Sequence, residues 1–307
     1  IIKEEGPISR SELAKKTRIS KVAIYDIVNR LHKTGFVCEI GKGESTSRGG
    51  KRPTLLKLNA DNRFVIGVEI RRRHTDTMLE QCNISIDKLL SIGIGIPGFV
   101  NYSKGKLLFA DTMHGWGDFP LASFFMDRYQ VPAIVENDVN NITLGESLMG
   151  SGREWSNLAC IWIGEGVGSG ILMDGKLVRG ATGSAGEIGY LELGHFVNLD
   201  CVKDLYSGQR YFGEILSERN LLDSLTLKLQ QKSPDQNEDL EHQTLHALLK
   251  RGDEGDPVIQ HLLDEYAYLL STLCTHYIKT LNPNLILLSG QVVEHSGYLV
   301  DKVRQVA

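Results

Sequence analysis

Residues 9–31 read Ser-Arg-Ser-Glu-Leu-Ala-Lys-Lys-Thr-Arg-Ile-Ser-Lys-Val-Ala-Ile-Tyr-Asp-Ile-Val-Asn-Arg-Leu. The spacing predicts two short helices joined by a tight turn. Ser9 is a plausible N-cap, with Glu12 three residues on as its reciprocal partner. Leu13 and Ala14 then face inward, and Ala14 is small enough for a second helix to cross closely. Ser20 caps that second helix, whose inward stripe is Ile24, Ile27, Val28 and Leu31 at i, i+3, i+4 and i+7. Its opposite face presents Lys21, Val22, Tyr25, Asp26 and Asn29. A helix-turn-helix offers such a face to the major groove of DNA. Ser20, Lys21, Val22, Tyr25 and Asn29 are therefore the residues expected at base edges and nearby phosphates. Arg18 stands at the turn position where glycine is commonest, so the turn must form without glycine's conformational freedom.

Beyond Gly35, residues 36–40 and 54–58 read as the two strands of a hairpin. The loop between them carries Lys42, Arg48, Lys51 and Arg52. Beside a helix-turn-helix, a basic flexible loop suits a wing that touches the DNA backbone or enters the minor groove through Arg48, Lys51 and Arg52. Charge supports a separate head at residues 1–60. These residues hold 13 Lys+Arg against 6 Asp+Glu, a net of +7, and the rest of the chain holds 21 against 32, a net of −11. Basic clusters attract phosphate backbones, and an acidic body does not.

At 307 residues and 41% hydrophobic content the chain can bury at least one sizeable core. Its five cysteines (Cys38, Cys82, Cys160, Cys201 and Cys274) lie far apart with no CxxC pair, which argues against a structural zinc site and against a disulfide framework. There is no run of eighteen apolar residues and no signal-peptide core. A reducing cytoplasm and no membrane partner are expected.

After residue 64 the pattern becomes that of an α/β body. Residues 65–70, 91–96 and 133–138 read as strands, and the third delivers Asn137 and Asp138 to its C-terminal end just before a helix over 139–149. Open α/β sheets bind ligands there, although Asn-Asp is also a common helix-capping pair. The strand 158–163 enters Gly164-Glu-Gly-Val-Gly168, and a second strand then turns at Asp174-Gly175. A glycine turn between strands can wrap a phosphate, yet Glu165 at its tip would repel one. Residues 180–190 form a glycine-rich loop presenting Glu187, and a carboxylate beside Asn and Asp is an acceptor set suited to sugar hydroxyls. Asp256-Pro257 opens a long apolar helix to about residue 280, with His276 and Tyr277 read as core packing, and the strand 285–288 follows. Residues 231–256 are expected to be a solvated loop or a short surface helix.

At these residues the chain resembles the ROK family, which contains sugar-responsive repressors of the xylose and N-acetylglucosamine type alongside bacterial sugar kinases. The opening Gly-Pro-Ile-Ser-Arg-Ser-Glu-Leu-Ala and the loop Ser-Arg-Gly-Gly-Lys-Arg-Pro resemble the repressor branch. In the body the matching motifs are Gly95-Ile-Pro-Gly98, Gly115-Trp116, Glu136-Asn-Asp-Val-Asn140 with Leu144-Gly-Glu146, Ala185-Gly-Glu-Ile-Gly189 and Leu281-Asn-Pro283. The resemblance implies a winged helix-turn-helix over 1–60, followed by a two-lobed, actin-like ATPase (ribonuclease H-like) α/β fold. Its first lobe would span 61–132 and its second 133–307, with sugar held between them. It also implies sugar contacts from Gly98, Asn137, Asp138 and Glu187, with His195 placed beside them. A homodimer on operator double-stranded DNA, controlled by a small-molecule sugar effector, is the function expected.

The departures bear on a second reading, an ATP-dependent sugar kinase that retains a DNA-binding head and uses ATP, Mg and Asp138 as general base. Family kinases carry Asp-x-Gly-Gly-Thr after the first strand, where this chain has Arg71-Arg-Arg-His74. Their second phosphate loop has Thr where Glu165 stands among Gly164, Gly166 and Gly168, and their C-terminal Gly-Gly is Ser289-Gly290 here. The Cys-rich zinc knuckle is missing and its His is Tyr190, so neither a metal nor another cofactor is expected for the repressor. Only 21 residues separate Ile70 from Ile92, too few for two further strands and a helix. Either the first lobe is reduced, or segments there and near the two ends of the chain are absent from this sequence.

Overall fold

Ser9 and Glu12 form the reciprocal cap: the Glu12 amide donates to Ser9 Oγ at 3.2 Å, and the Ser9 amide donates to Glu12 Oε2 at 2.9 Å. In this computed structural model, residues 1–44, 52–60, 64–70, 88–110, 113, 115–232 and 243–306 are described. After a helical turn at Ile2–Glu5, the head contains β1 (Ile8–Ser9), α1 (Arg10–Thr17), α2 (Lys21–Lys33), β2 (Val37–Lys42) and β3 (Thr54–Leu58). Its strands form an antiparallel sheet in the order β1-β3-β2. Arg18 takes up the left-handed conformation, at φ 59° and ψ 21°, that the turn demands. Ser20 Oγ accepts the Ala23 amide at 3.2 Å and so begins α2.

Ile8, Leu13, Ala14, Ile24, Val28, Val37 and Leu56 make the buried centre of the head, with Leu31 packed against it. Ile27, expected in the inward stripe, is instead 42% exposed. At 100° per residue it lies about 60° to one side of Ile24 while Val28 lies about 40° to the other. So small a core covers only the middle of that arc.

Two compact units divide the chain: residues 1–94 with 120–135, and 95–119 with 136–307. Besides the head, the first unit holds β4 (Phe64–Glu69) and most of β5 (Leu89–Ile96). In the second unit an antiparallel meander follows, made of β6 (Phe99–Asn101), β7 (Lys106–Phe109) and β8 (Gly117–Phe119). The chain then returns to the first unit through α3 (Leu121–Tyr129) and β9 (Ala133–Asn137), which completes a sheet of order β4-β5-β9.

The main elements of the rest of the second unit are α4 (Asp138–Met149), β10 (Leu158–Ile163), β11 (Val167–Met173), β12 (Lys176–Leu177), α5 (Glu218–Lys232), α6 (Leu245–Asp253), α7 (Pro257–Leu281), β13 (Leu285–Ser289) and α8 (Gly297–Val306), with short helical turns between them. Its sheet has the order β12-β11-β10-β13, antiparallel between β10 and β11 and parallel between β10 and β13. Asp174 and Gly175, at φ 51° and 71°, make the expected hairpin turn. Asp256 caps α7 by accepting the Val258 amide at 3.0 Å, with Pro257 in the first turn. Leu262, Leu263, Tyr266, Leu269, Leu270 and Leu273 of α7 are buried in the core of the second unit, a cluster that also holds Ile161 and Ile163 of β10, each worth about 1.5–3 kcal/mol. Residues 231–256, expected as a solvated loop or a short surface helix, contain such a helix in α6, but one of its faces belongs to the core, where Leu248 and Leu249 are fully buried. Among the described residues no helix is long and apolar enough to cross a membrane.

Ser9→Ala removes the acceptor for the Glu12 amide at a buried position. It should lower the stability of the head by about 1 kcal/mol in denaturant unfolding, whereas Ser9→Thr, which keeps a hydroxyl that accepts from the Glu12 amide and donates to the Glu12 carboxylate, should lose less.

Candidate functional site

β9 ends in Glu136 and Asn137, and α4 begins at once with Asp138, so three polar side chains arrive at a strand-to-helix junction. Asn137 is the N-cap: its Oδ1 accepts the Asn140 amide at 3.1 Å, and its Nδ2 donates to the carbonyl of Gly98 at 3.2 Å. This ties Gly98 to the junction. Gly98 has φ 102°, and a Cβ there would collide with the backbone of Phe109 and Ala110, so only glycine brings the chain this close. Asp138 Oδ1 accepts the Val139 amide at 2.9 Å.

Glu136 is 5% exposed and fully used. It accepts from the Asn137 amide at 3.0 Å, from Asn140 Nδ2 at 3.0 Å and from Arg179 Nε at 2.7 Å. Arg179 also lies over the ring of Tyr102, 4.0 Å from its centroid. A carboxylate this deep requires such donors. Together they fix the backbone from which Asn137 and Asp138 project.

β11 lies between this junction and the loop that carries Glu187. A Cβ on Gly168 would press on Val139, and one on Gly170 would collide with Thr143, so both glycines back onto the first turns of α4. Ser169, between them, points to the other face of the strand. There its amide and its Oγ each donate to the Gly186 carbonyl at 2.9 Å, and Tyr277 of α7 hydrogen-bonds to Ser169 Oγ. Since Ser169 Oγ donates to Gly186, Tyr277 donates to Ser169. Burial pushes the Tyr277 hydroxyl up to about 12, so it remains a donor at neutral pH. Tyr277, expected only to pack, thus holds in place the loop whose next residue is Glu187.

His195 projects from the turn Leu193–His195, largely exposed, with Nδ1 3.8 Å from Glu192 Oε2. Tyr190 stands where the resemblance expects a zinc-binding histidine, and its ring packs between Phe99 and Tyr211 at centroid distances of 5.8 and 6.2 Å. Cys201 is exposed. These residues do not fit the family's zinc knuckle. One group among the described residues, Asp204, His261 and Glu265, brings its ligand atoms within 4.8 Å of one another. Those atoms already serve one another and the backbone. Lys228 Nζ is 2.6 Å from Asp204 Oδ1, His261 Nε2 is 2.8 Å from Asp204 Oδ2, and the buried Glu265 accepts the amides of Asp204 and Leu205. The set pins residues 204–205 to α7 and holds its own cation in Lys228.

The glycine turn Gly164-Glu-Gly between β10 and β11 is tight, with the Gly164 amide donating to the Gly166 carbonyl at 2.9 Å. Glu165 at its tip is exposed, as expected. Two further carboxylates join it, which the sequence alone did not reveal. Glu294 accepts the Gly290 amide at 3.2 Å, and Glu218 accepts the amide of Gln291. Burial raises the pKa of Glu218, the Gln291 amide works against this, and the charges of Glu165 and Glu294 raise it further. Two backbone amides that suit an anion are thus already held by the chain's own carboxylates.

On the head, the outer face of α2 presents Val22 at 73% and Tyr25 at 56% exposure. Lys21 and Arg52 are exposed and Asn29 is half-buried. Arg10 lies 5.7 Å from the centroid of the Tyr25 ring and donates to Glu39 at 3.0 Å. Ser20 spends its side chain on the cap. Arg48 and Lys51 lie outside the described residues, as do Arg71–His74.

The model of the ROK family matches residues 72–307. A xylose repressor of Caldicellulosiruptor bescii is 26% identical over 97% of the chain and 83% of its own length. The crystal structure of a ROK family transcriptional regulator, a homologue of the Escherichia coli MLC protein, superposes with a TM-score of 0.81 at 22% identity, covering 99% of this chain and 84% of that one. A ROK family glucokinase from Streptomyces griseus, solved with glucose and AMPPNP, gives a TM-score of 0.60 at 22% identity, covering 75% of this chain and 76% of that one.

Arg179→Met should lower the stability of the second unit by about 1–3 kcal/mol in thermal unfolding, since it strips a buried carboxylate of its charged donor. Glu218 supplies a pH test. Its pKa is raised in the folded state, so the stability it contributes is present at low pH and is lost as pH rises through the raised value. Glu218→Gln should therefore melt above the parent protein at pH 7–8, by on the order of 0.5 kcal/mol. The advantage should shrink as pH falls toward the ordinary carboxyl value of 4.5.

Proposed function

The chain belongs to the ROK family, and on that premise we propose that it is a cytoplasmic, sugar-responsive transcriptional repressor acting as a homodimer. One observation carries the reading. The repressor-named relative and the regulator structure are covered together with 97–99% of this chain, head included, whereas the glucokinase match covers 75%. The head is the part that a DNA reader needs and a kinase does not.

In this reading the head is a winged helix-turn-helix. Lys21, Val22, Tyr25 and Asn29 of α2 meet the major groove, where the apolar Val22 suits a thymine methyl and the polar side chains suit base edges. Arg52 and the loop carrying Arg48 and Lys51 contact the DNA backbone. The net +7 of residues 1–60 supplies the salt-sensitive part of the affinity. Two such heads, related by two-fold symmetry, read an operator of two half-sites.

The body after the head, read as a two-lobed actin-like fold over 61–307, binds the effector. Asn137, Asp138 and Glu187, with Gly98 at close range and His195 beside them, hold sugar hydroxyls by hydrogen bonds. Asn137 is pre-oriented by its cap and Glu187 by the Ser169–Tyr277 relay, so the sugar meets groups that are already in place. The effector controls transcription only through its differential affinity for the DNA-competent and DNA-incompetent states.

A second reading, an ATP-dependent sugar kinase, is favoured by one observation: Asp138 opens a helix at the end of a strand, where a general base for a sugar hydroxyl is expected. Glu165, Glu218 and Glu294 oppose it, since three carboxylates meet where the glycine turn would take a polyphosphate.

Two assays separate these readings. In a gel shift on duplex DNA from the chain's own promoter region, the protein should bind with a steep salt dependence, and one of a panel of sugars should shift the affinity. Salt-insensitive binding, or none, contradicts the repressor. In a coupled ADP-release assay with several hexoses the parent protein should show no turnover above background. Turnover that disappears in Asp138→Asn would establish the kinase instead.

A further inference from the structure

Tyr25 stands at the centre of the face that the proposed function turns toward DNA. Lys21 and Asn29 lie four residues to either side of it along α2, and Val22 lies three before it. Those spacings bring the four side chains together on the helix surface. The Tyr25 ring is exposed. A large side chain standing in water samples several rotamers, and fixing it in a complex costs part of the binding energy. A ring held in one orientation beforehand avoids that cost.

Arg10, the first residue of α1, supplies the contact. Its guanidinium carbon lies 5.7 Å from the centroid of the Tyr25 ring, within the range of a cation–π attraction. The guanidinium is itself anchored, with Nη2 donating to Glu39 Oε1 of β2 at 3.0 Å. Glu39 pairs in register with Leu56 of β3, which is fully buried, so the anchor stands on the sheet of the head. The Arg10 side chain is only 24% exposed, and its Nε is buried with no hydrogen-bond partner among the described residues. An arginine that grips a phosphate presents two adjacent N–H groups to it. Here Nη2 serves Glu39 and Nε is turned away from water, so the guanidinium is committed within the head.

Three elements meet at this one cation: α1 carries it, β2 anchors it, and α2 offers the ring it holds. We infer that Arg10 is a positioning residue for base recognition. It fixes the Tyr25 ring in the orientation that reads DNA, and so sets sequence preference without contacting the DNA itself. The inference rests on the DNA-binding reading of the head and adds to it a residue outside both the reading helix and the wing.

Fluorescence anisotropy on the whole chain tests this with two labelled duplexes of equal length. One comes from the chain's own promoter region, and the other has the same base composition in shuffled order. The quantity read is the ratio of the two dissociation constants, in which a general loss of phosphate attraction cancels. Tyr25→Ala should cut the parent's preference by about tenfold. Arg10→Met should cut it by at least about threefold, and the combined variant should lose no more than Tyr25→Ala alone. Glu39→Gln, a change at an exposed residue that leaves Arg10 and Tyr25 in place, should also lower the preference. Losses that multiply in the combined variant show Arg10 acting independently of Tyr25 and overturn the inference. An equal loss of affinity for both duplexes in Arg10→Met, with a shallower salt dependence, makes Arg10 a phosphate contact and overturns it too. If Arg10→Met fails to fold, Glu39→Gln decides alone, and an unchanged preference there overturns the inference. A parent chain that binds both duplexes equally leaves the head a DNA binder and overturns the inference alone. If the parent binds neither duplex, the DNA-binding reading itself falls and takes the inference with it.

Discussion

The ion pair between Glu136 and Arg179 joins residues 43 positions apart and lies beneath the residues proposed to bind the effector. Its carboxylate is buried, and burying an ionised carboxylate without donors is prohibitive, so the surrounding chain is obliged to supply them. Arg179 provides charge, the Asn137 amide fixes the end of β9, and Asn140 Nδ2 fixes the first turn of α4. With those three held, Asn137 caps the helix and reaches the Gly98 carbonyl, and Asp138 has little freedom left. The site is therefore pre-organised by polar contacts beneath it, and the polar side chains above need not pay for their own ordering.

A second organising contact works from the opposite face of β11. Glycine at 168 and 170 lets the strand lie on α4, and Ser169 between them reaches the carbonyl of Gly186. Tyr277 completes the relay from the long helix of the core. The alternation of a strand thus connects the helix that starts at Asp138 with the loop that bears Glu187. Electrostatics narrows the chemistry further. At the next turn of the same hairpin, Glu165, Glu218 and Glu294 approach one another, and two of them occupy amides that would serve an anion. The acidic body and the basic head suit opposite partners, as the proposed division between effector and DNA requires.

Features set by neighbouring residues were legible in the sequence. The Ser9–Glu12 cap, the turn at Asp174-Gly175, the Asp256-Pro257 helix start and the strand-to-helix junction at Asn137 all depend on a few adjacent side chains, and all are formed. Ile27 was misread because helical periodicity marks a stripe without saying how wide a partner covers it. The segment around α6 does hold a short helix, but its buried face went unseen because the few apolar residues Leu245, Ala247, Leu248 and Leu249 stand in a long polar run. What sequence could not show are the pairings across long separations: Glu136 with Arg179, and Ser169 with Tyr277, 108 residues apart. The same holds for Glu218 and Glu294 meeting Glu165, since no local pattern encodes which distant carboxylates a turn will face.

A sugar-responsive repressor requires that effector bound in the second unit change how the proposed head holds DNA. The most direct measurement is a thermodynamic cycle on the whole chain: sugar affinity with and without duplex DNA from its own promoter, and DNA affinity with and without that sugar. Both ligands should bind, and each should change the other's dissociation constant by the same factor, clearly different from one. Two ligands that bind independently of each other, or a chain that binds only one of them, would contradict it.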